Sequence, residues 1–88
     1  PPDEYLVVIP LTDIFEVHAD NRPSFDVQEV RISLFSRGNY QRRKRQITVA
    51  LLNADITVTE RRYIGFEEDT KYHHYAIDVM KEYEMEEN

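Results

Sequence analysis

Cysteine is absent from the 88-residue chain, and glycine and proline are scarce, with two and four copies. Without cysteine, neither a disulfide nor a thiolate metal site can stabilise the fold. No apolar run approaches the ~20 residues that a membrane-spanning helix needs, and no basic segment followed by an apolar one opens the chain. The chain also has no repeat and no linker composition. We therefore expect one soluble, intracellular domain over residues 1–88.

A domain of this size has a limited core. It buries roughly 60–65% of the surface that its unfolded chain exposes, which predicts a modest stability for the isolated chain. Pro1 and Pro2 stand where an initiator methionine is expected. This start indicates processing, truncation or a tag, so we expect part of the native N-terminal segment to be missing.

Recognisable catalytic and metal-binding patterns are also lacking. The chain has no Gly-rich phosphate loop, no GxSxG and no cysteine nucleophile. His74 and Asp78 could share a metal on a helix, with His18 as a third ligand, but no HExxH or similar frame surrounds them. On a strand, His74 and Asp78 would stand about 13 Å apart. We expect no enzyme, no metal and no cofactor.

The charges are unevenly distributed along the chain, whose net charge is −6. Six basic residues and no acidic one lie between Arg31 and Arg45, whereas five acidic residues and a single lysine lie between Asp78 and Asn88. The acidic balance argues weakly against a nucleic-acid binder. The asymmetry suits like subunits that dock head to tail, basic patch against acidic patch. A solvated surface with local pairing is the alternative.

The first segments have the pattern of β-strands. Tyr5–Leu11 (YLVVIPL) is nearly all apolar, so both sides of a strand there would be covered, or one side would meet another subunit. Pro10 cannot donate to a ladder and predicts a strand end or an edge. The segment Thr12–Asn21 runs into a turn-rich connection, ADNRPS, which begins at Ala19.

The second strand changes phase along its length. Phe25 and Val27 would point to one side of the strand, and Val30, Ile32 and Leu34 would point to the other. This slip predicts a β-bulge around Gln28-Glu29, or a strand that starts late. The strand ends at Ser36-Arg37-Gly38-Asn39, which is a turn or helix-entry signal.

The segment that follows Asn39 could be a strand, because Ile47, Val49 and Leu51 alternate. With a period of 3.6 it forms a helix, with Asn39 as N-cap and Asn53 near its end. We predict the helix, although the basic run near its start opposes the helix dipole. The face of the helix that points to the sheet would comprise Tyr40, Arg43/Lys44, Ile47, Ala50/Leu51 and Ala54.

The last third contains one clear strand and one ambiguous segment. Ile56–Phe66 alternates as a strand, with Ile56, Val58, Ile64, Phe66, Glu60 and Arg62 on one side. The segment from Tyr72 to Tyr83 fits a helical stripe and a strand face about equally well, since Tyr, Ile and Val favour the strand and Lys81–Glu87 favours the helix.

Three quoted segments carry a family resemblance that covers Val27 to Glu84: VRISLFSRGNY, RQITVALLNADITVTERRYIGFEED and TKYHHYAIDVMKEYE. The chain resembles small tail-terminator, tail-completion and head–tail joining proteins of long-tailed bacteriophages. The resemblance implies an α+β domain, with an antiparallel sheet of about four strands and one helix packed across it. It also implies that the last segment is a strand paired with the one before it. In the family, a glycine stands where this chain has Lys71, and a helix precedes the first strand.

The function implied by the resemblance is structural. Such subunits form a hexameric ring that terminates the tail tube, so the implied partners are the chain itself, the tail tube protein and the head-connector or stopper protein, with DNA only in passage. The implied location is the virion tail or neck, and the host cytoplasm during assembly. The sequence does not distinguish between the terminator, completion and head–tail joining roles. An acidic single-domain inhibitor or adaptor that binds a host protein is the alternative.

The basic run Arg42–Arg45 (RRKR) also matches nuclear-localisation, cleavage and phosphate-binding patterns, all of which are short and occur often by chance. We predict instead that the run lies on an exposed helix face and helps subunits or DNA to dock. The full set of predicted docking residues is Arg37, Arg42, Arg43, Lys44, Arg45, Glu67, Glu68, Asp69, Tyr72, His74 and Tyr83.

Overall fold

A computed structural model describes residues 2–16 and 24–85. They form one antiparallel sheet with strand order β1-β2-β4-β3 and one helix packed on one of its faces, which confirms the predicted α+β class. Among the described residues, no helix is long and apolar enough to cross a membrane. The elements are β1 (Glu4–Glu16), β2 (Ser24–Ser36), α1 (Tyr40–Asn53), β3 (Thr57–Phe66) and β4 (His73–Met85).

The core lies between α1 and the two central strands. β2 and β4 pair without interruption, and their register sets Leu34 opposite Tyr75 and Ile32 opposite Ile77. Because side chains alternate along a strand, these residues share the face that α1 covers. Leu34 and Ile77 are fully buried. The residues packed around this centre are Tyr75, Val79, Val30, Ile32, Tyr40, Ile47, Leu51, Ile56 and Val58.

The helix begins and ends as the sequence predicts. The side chain of Asn39 accepts a hydrogen bond from the Arg42 backbone N–H at 3.0 Å, so Asn39 is the N-cap. Ile47 and Leu51 pack against the core cluster. The first turn holds no acidic residue that would favour the helix dipole. Since none of the fourteen described helix residues is fully buried, the stability of α1 depends on this single packed face.

The first hairpin differs from the prediction in two ways. β1 extends beyond the apolar run Tyr5–Leu11 and ends at Glu16, whereas the predicted connection ADNRPS lies mostly outside the described residues. The predicted bulge at Gln28-Glu29 is wrong, because β2 pairs regularly with β4 there. The register shift lies in β1, between Pro10 and Thr12. A proline that cannot donate to the ladder is readily accommodated at an edge strand with a bulge. In β2 itself the alternation is regular, so Val27 and Val30 lie on opposite faces of the sheet.

The C-terminal segment is strand β4, as the resemblance implied, and it forms an antiparallel hairpin with β3. Gly65 lies inside β3, at a register shift between Tyr63 and Gly65. A second shift, between Val58 and Glu60, breaks the simple alternation predicted for this strand. As a result Ile64 is exposed, whereas Val58 packs on the core.

The turn between β3 and β4 is closed by backbone hydrogen bonds. Glu67 N–H donates to the Tyr72 carbonyl at 2.8 Å, and Lys71 N–H donates to the Glu67 carbonyl at 2.8 Å. Lys71 has a φ of 66°, in the left-handed region that favours glycine. The turn therefore forms without the glycine that the resemblance implied, but with backbone strain at Lys71.

Replacing Ile77 by alanine is expected to lower the free energy of unfolding by about 2–5 kcal/mol, because Ile77 is 0% exposed and its loss leaves a cavity. Urea unfolding measures this change. Ile64→Ala removes the same atoms from a side chain that is 45% exposed and should cost less than about 1 kcal/mol. Equal losses in the two variants would contradict the placement of the core.

Lys71→Gly is expected to raise the free energy of unfolding by roughly 0.5–1 kcal/mol. A left-handed backbone costs most residues about 1–2 kcal/mol, and the greater freedom of glycine in the unfolded chain offsets part of that gain. Lys71→Ala is the matched control, because it also removes the ion pair with Glu68 but keeps the Cβ atom. An alanine variant as stable as the glycine variant would exclude backbone strain as the cause.

Candidate assembly surface

Strand β1 is an edge strand with apolar side chains exposed along it. Within the described residues it pairs with β2 alone, so its other edge offers free backbone N–H and C=O groups. Among the side chains of β1 whose burial the structure describes, Val8 is the most exposed apolar one, at 62%. Runs of exposed apolar residues at an edge favour pairing with another chain. The exposed apolar side chains of β1 are Tyr5, Leu6, Val7, Val8, Ile9 and Leu11.

The opposite edge, β3, has a different character. Its two register shifts and its charged centre, Glu60-Arg61-Arg62, are features that hinder the pairing of an edge with a further strand. Between Glu4 and Pro10, in contrast, β1 has no register shift, and Tyr5–Ile9 carries no charge. Of the two edges, β1 is therefore the one better suited to association.

Glu4 fixes the start of β1 to the rest of the subunit. One carboxylate oxygen accepts a hydrogen bond from the Arg43 side chain of α1 at 2.8 Å, and the other accepts from the buried Ser36 hydroxyl at 2.9 Å. The Arg37 backbone N–H also donates to the Asp3 carbonyl at 2.9 Å. The beginning of the apolar strand is thus held by both β2 and α1, so its exposed residues keep a defined orientation.

The sheet face opposite α1 carries a row of stacked rings. The centroids of Tyr5 and Phe35 are 4.8 Å apart, and those of Phe35 and His74 are 4.3 Å apart, with the ring planes nearly parallel. The Nε2 atom of His74 is buried and has no hydrogen-bond partner in the described structure. Burial lowers the pKa of His74; the nearby Glu67 carboxylate opposes this and Arg31 adds to it. The environment therefore favours the neutral imidazole over the protonated one.

Farther along the same face, Arg31 and Asp78 form a bidentate ion pair, with N–O distances of 2.8 and 3.0 Å. The hydrogen bond from Arg31 lowers the pKa of Asp78, against the opposing effect of burial. Glu60 and Arg62 of β3 flank the pair. Both carboxylate oxygens of Asp78 are engaged by Arg31, and His18 lies outside the described residues, so the metal site considered from sequence gains no support.

The structure divides the basic run into three environments. Arg42 and Arg45 are exposed and form no ion pair within the described part of the chain. Arg43 binds Glu4. Lys44 points to the sheet, with its Nζ atom 5.0 Å from the ring centroid of Tyr75. The prediction of one exposed four-residue face holds for Arg42, Arg43 and Arg45, although Arg43 is paired with Glu4, whereas Lys44 is half-buried because it lies on the inward side of the helix.

Tyr72 and Arg37 form an internal contact at one end of the sheet. Tyr72 is 2% exposed, its hydroxyl donates to the Pro2 carbonyl, and the Arg37 guanidinium lies 4.3 Å above its ring. Arg37 also donates to the carbonyl of Thr70 in the β3–β4 turn at 2.8 Å. Tyr72 therefore packs inside the subunit, and its burial leaves little surface for docking.

The acidic turn Glu67–Asp69 is exposed, as a docking site requires. It lies at the same end of the sheet as the start of α1, however, since the ring of Tyr40 contacts that of His73 at 4.9 Å and His73 pairs with Phe66. The basic and acidic segments that are separated in sequence are therefore neighbours in space here. Tyr83, also predicted for docking, is 47% exposed near the other end.

The predicted docking set omitted β1, which carries the largest exposed apolar surface. The signal for it was present in the uninterrupted apolar run YLVVIPL, which indicated either a strand covered on both sides or a strand that meets another subunit. Only the strand order, with β1 at an edge, distinguishes these two alternatives.

The free energy of unfolding is expected to fall as the pH drops from 7.5 to 5.5. A histidine in the unfolded chain has a pKa of about 6.5, and the pKa of His74 in the fold lies lower, so protons favour the unfolded chain below that pH. Stability is complete above about pH 6.5 and decreases toward the folded-state pKa. His74→Phe keeps a ring beside Phe35 and should show a smaller decrease. If the free energy of unfolding of His74→Phe and of the unaltered protein fell equally with pH, His74 would not be the cause of the decrease.

Comparison with protein-family models, with curated proteins and with solved structures found no match for the chain. What the protein does must therefore be inferred from its own residues and surfaces.

Proposed function

We propose that this protein is a structural subunit that associates with copies of itself through β1 and forms a ring in the tail or neck of a long-tailed phage or prophage. The observation that carries the proposal is the apolar strand β1, which lies at a sheet edge with its side chains exposed on both sides. A single small domain gains little by exposing such a strand to water unless the strand is covered in an assembly.

Two properties of β1 support association rather than simple exposure. Its start is held by Glu4, Ser36 and Arg43, so little ordering entropy is lost when a second chain binds. The edge at β3 is poorly suited to a further strand, so in a ring β1 of one copy contacts a different surface of the next copy. Contacts between non-equivalent surfaces generate rings when the rotation between subunits closes.

The placement in a phage tail rests on the resemblance over Val27 to Glu84. An α+β domain with an antiparallel sheet and one helix is the fold that this resemblance implies, and the chain has that fold. On this proposal the partners are further copies in a ring, a hexamer in the family, together with the tail tube protein and the head-connector protein. DNA passes through the ring, and assembly takes place in the host cytoplasm.

The exposed basic residues Arg42 and Arg45 take a secondary role in the proposal. Individual exposed ion pairs contribute only about 0–1 kcal/mol, so these residues act by orienting partners rather than by holding them. Their effect should weaken as salt screens the charges. Because Lys44 and Arg43 are engaged within the subunit, they are not assigned to docking.

A double substitution, Val7→Lys with Ile9→Lys, is expected to leave the subunit folded and to prevent its association. Both side chains are exposed, at 39% and 43%, so charge costs little in the isolated subunit but much in an interface. Light scattering and sedimentation measure the mass. Leu52→Lys is the matched control on α1, where the side chain is 57% exposed, and it should keep the mass of the unaltered protein.

Dissociation by Leu52→Lys alone, or a chain that stays monomeric at high concentration, would contradict assembly through β1. The phage role has a separate test, which is negative-stain imaging of the protein mixed with tail tubes. Rings at tube ends support a terminator or completion role. Self-association without binding to tubes would leave the assembly proposal standing and reject the phage role. Tight binding of the monomer to a host protein would favour the inhibitor or adaptor instead.

A further inference from the structure

The sheet face opposite α1, the open face, carries a block of uncharged side chains that begins at β1. Side chains alternate along each strand, so the strand registers decide which residues share this face. The block has two rows across β1, β2 and β4, with Tyr5, Phe35 and His74 in the first and Val7, Ser33 and Ala76 in the second. Histidine is the side chain whose ordinary pKa lies between pH 5 and 8, and His74 is the one histidine of the block.

The two rows form one connected surface. In the first row the rings are stacked, with centroid distances of 4.8 Å between Tyr5 and Phe35 and 4.3 Å between Phe35 and His74. In the second row Ser33 and Ala76 are small and only 3% exposed, so they form a low floor beside the rings. A molecule that covers β1 on this face therefore also lies over the floor and beside His74.

A contact limited to β1 is too small to hold two copies together. The segment Tyr5–Ile9 is about 17 Å long and one strand spacing wide, about 4.8 Å, so its projected area is roughly 80 Å². A stable interface buries about 800 Å² of accessible surface on each partner. On the other face, α1 is about 10–12 Å across and packs over β4, which blocks the way from β1. A contact that starts at β1 therefore extends across the open face.

His74 is poorly placed to carry a positive charge. Its Nε2 atom is buried and has no hydrogen-bond partner within the described residues. Burial is the largest effect on its pKa and lowers it, the Glu67 carboxylate of the β3–β4 turn raises it, and the Arg31 guanidinium lowers it. A proton on His74 is therefore sensitive to any further loss of water around the ring.

The other groups on this side of the sheet do not offset that sensitivity. β1 contributes Tyr5, Val7 and Ile9 here and no acidic or basic side chain. Three arginines are already held in contacts within the subunit: Arg31 with Asp78, Arg62 with Glu60 and Arg37 with Tyr72. Among the described residues, the Glu67 carboxylate is the group that favours a protonated His74.

We propose that the contact between copies covers this uncharged block as far as His74, so that protonation of His74 weakens the assembly. The inference rests on the proposed self-association through β1 and adds its extent and its control by pH. In the separate subunit His74 is half-buried, and a copy lying over the block removes the remaining water from its ring. Desolvation disfavours the charged form of histidine, so the covered imidazole binds a proton less readily than the uncovered one.

The direction of the pH effect follows from linkage. Because association lowers the pKa of His74, protons favour the separate subunits. Association has its full strength above the pKa of His74 in the separate subunit, which lies below the ordinary value of about 6.5, and it weakens as the pH falls below that pKa. A single histidine per contact weakens association by at most about tenfold per pH unit.

Sedimentation velocity at pH 7.5 and 5.5 tests the inference on the whole chain. The dissociation constant of the unaltered protein should rise at least about threefold at the lower pH. His74→Phe keeps a ring beside Phe35 and cannot be protonated, so its dissociation constant should be the same at both pH values. His73→Phe is the matched control beside Tyr40, on the face of α1, and should keep the pH dependence of the unaltered protein. Circular dichroism at each pH shows whether the chain stays folded.

Proton NMR of the unaltered protein is a second measurement, which does not depend on the folding of any variant. The pKa of His74 should be lower at protein concentrations above the dissociation constant than at concentrations well below it. Equal pKa values, or a His74→Phe variant that keeps the pH dependence, would overturn the inference and leave assembly through β1 in place. A chain that stays monomeric at pH 7.5 would instead reject the proposed function, and this inference with it.

Discussion

The packing of α1 against the central pair β2 and β4 is the interaction on which the rest of the structure depends. Leu34 and Ile77 are the residues that it buries fully, and they lie on the two strands at the middle of the sheet. A fourteen-residue helix is about 21 Å long, whereas the chain extends over 54 Å in its longest dimension. The helix can therefore cover only part of one face, and the remaining apolar residues are left at the surface.

The proposed self-association follows from this incomplete cover. Because side chains alternate along a strand, β1 exposes Leu6 and Val8 on the face of α1 and Val7 and Ile9 on the face away from it. A strand that is apolar on both faces and lies at an edge is suited to be covered by another copy of the chain.

The ends of β1 and β4 show how polar contacts position these apolar surfaces. Glu4 connects β1 with β2 and α1, and the contacts of Arg37 with Tyr72 and Thr70 hold the β3–β4 turn. His74 contributes differently, since its half-buried ring stacks on Phe35 and burial lowers its pKa, so protonation is less favourable in the fold than in the unfolded chain. Acid should therefore weaken the fold from the open face, while the core beneath α1 is formed by apolar residues that do not titrate.

Local signals in the sequence determined where the elements begin and which side chains are apolar. Asn39 marked the helix start, since a short polar side chain can cap free N–H groups without tertiary help. The period of Tyr40, Ile47 and Leu51 marked the face of the helix, and the apolar run at Tyr5–Leu11 marked a strand. The same signals could not decide between strand and helix after Tyr72, where both periods fit and only the resemblance favoured the strand.

Tertiary structure alone decided the strand order, the register and the contact partner of each charged side chain. The phase change at Val27–Val30 is not a bulge in β2, because β2 pairs regularly with β4 along its whole length, so its apolar residues change from one face of the sheet to the other. The register shift lies in β1, and a shift of register belongs to a pair of strands and not to one of them. Lys44 covers Tyr75 and Arg43 binds Glu4 because a helix has 3.6 residues per turn, which places adjacent charges on different sides. The exposure of β1 follows from its place at the sheet edge. A sequence specifies the apolar character of a strand, but its neighbours in the sheet determine whether that strand is buried.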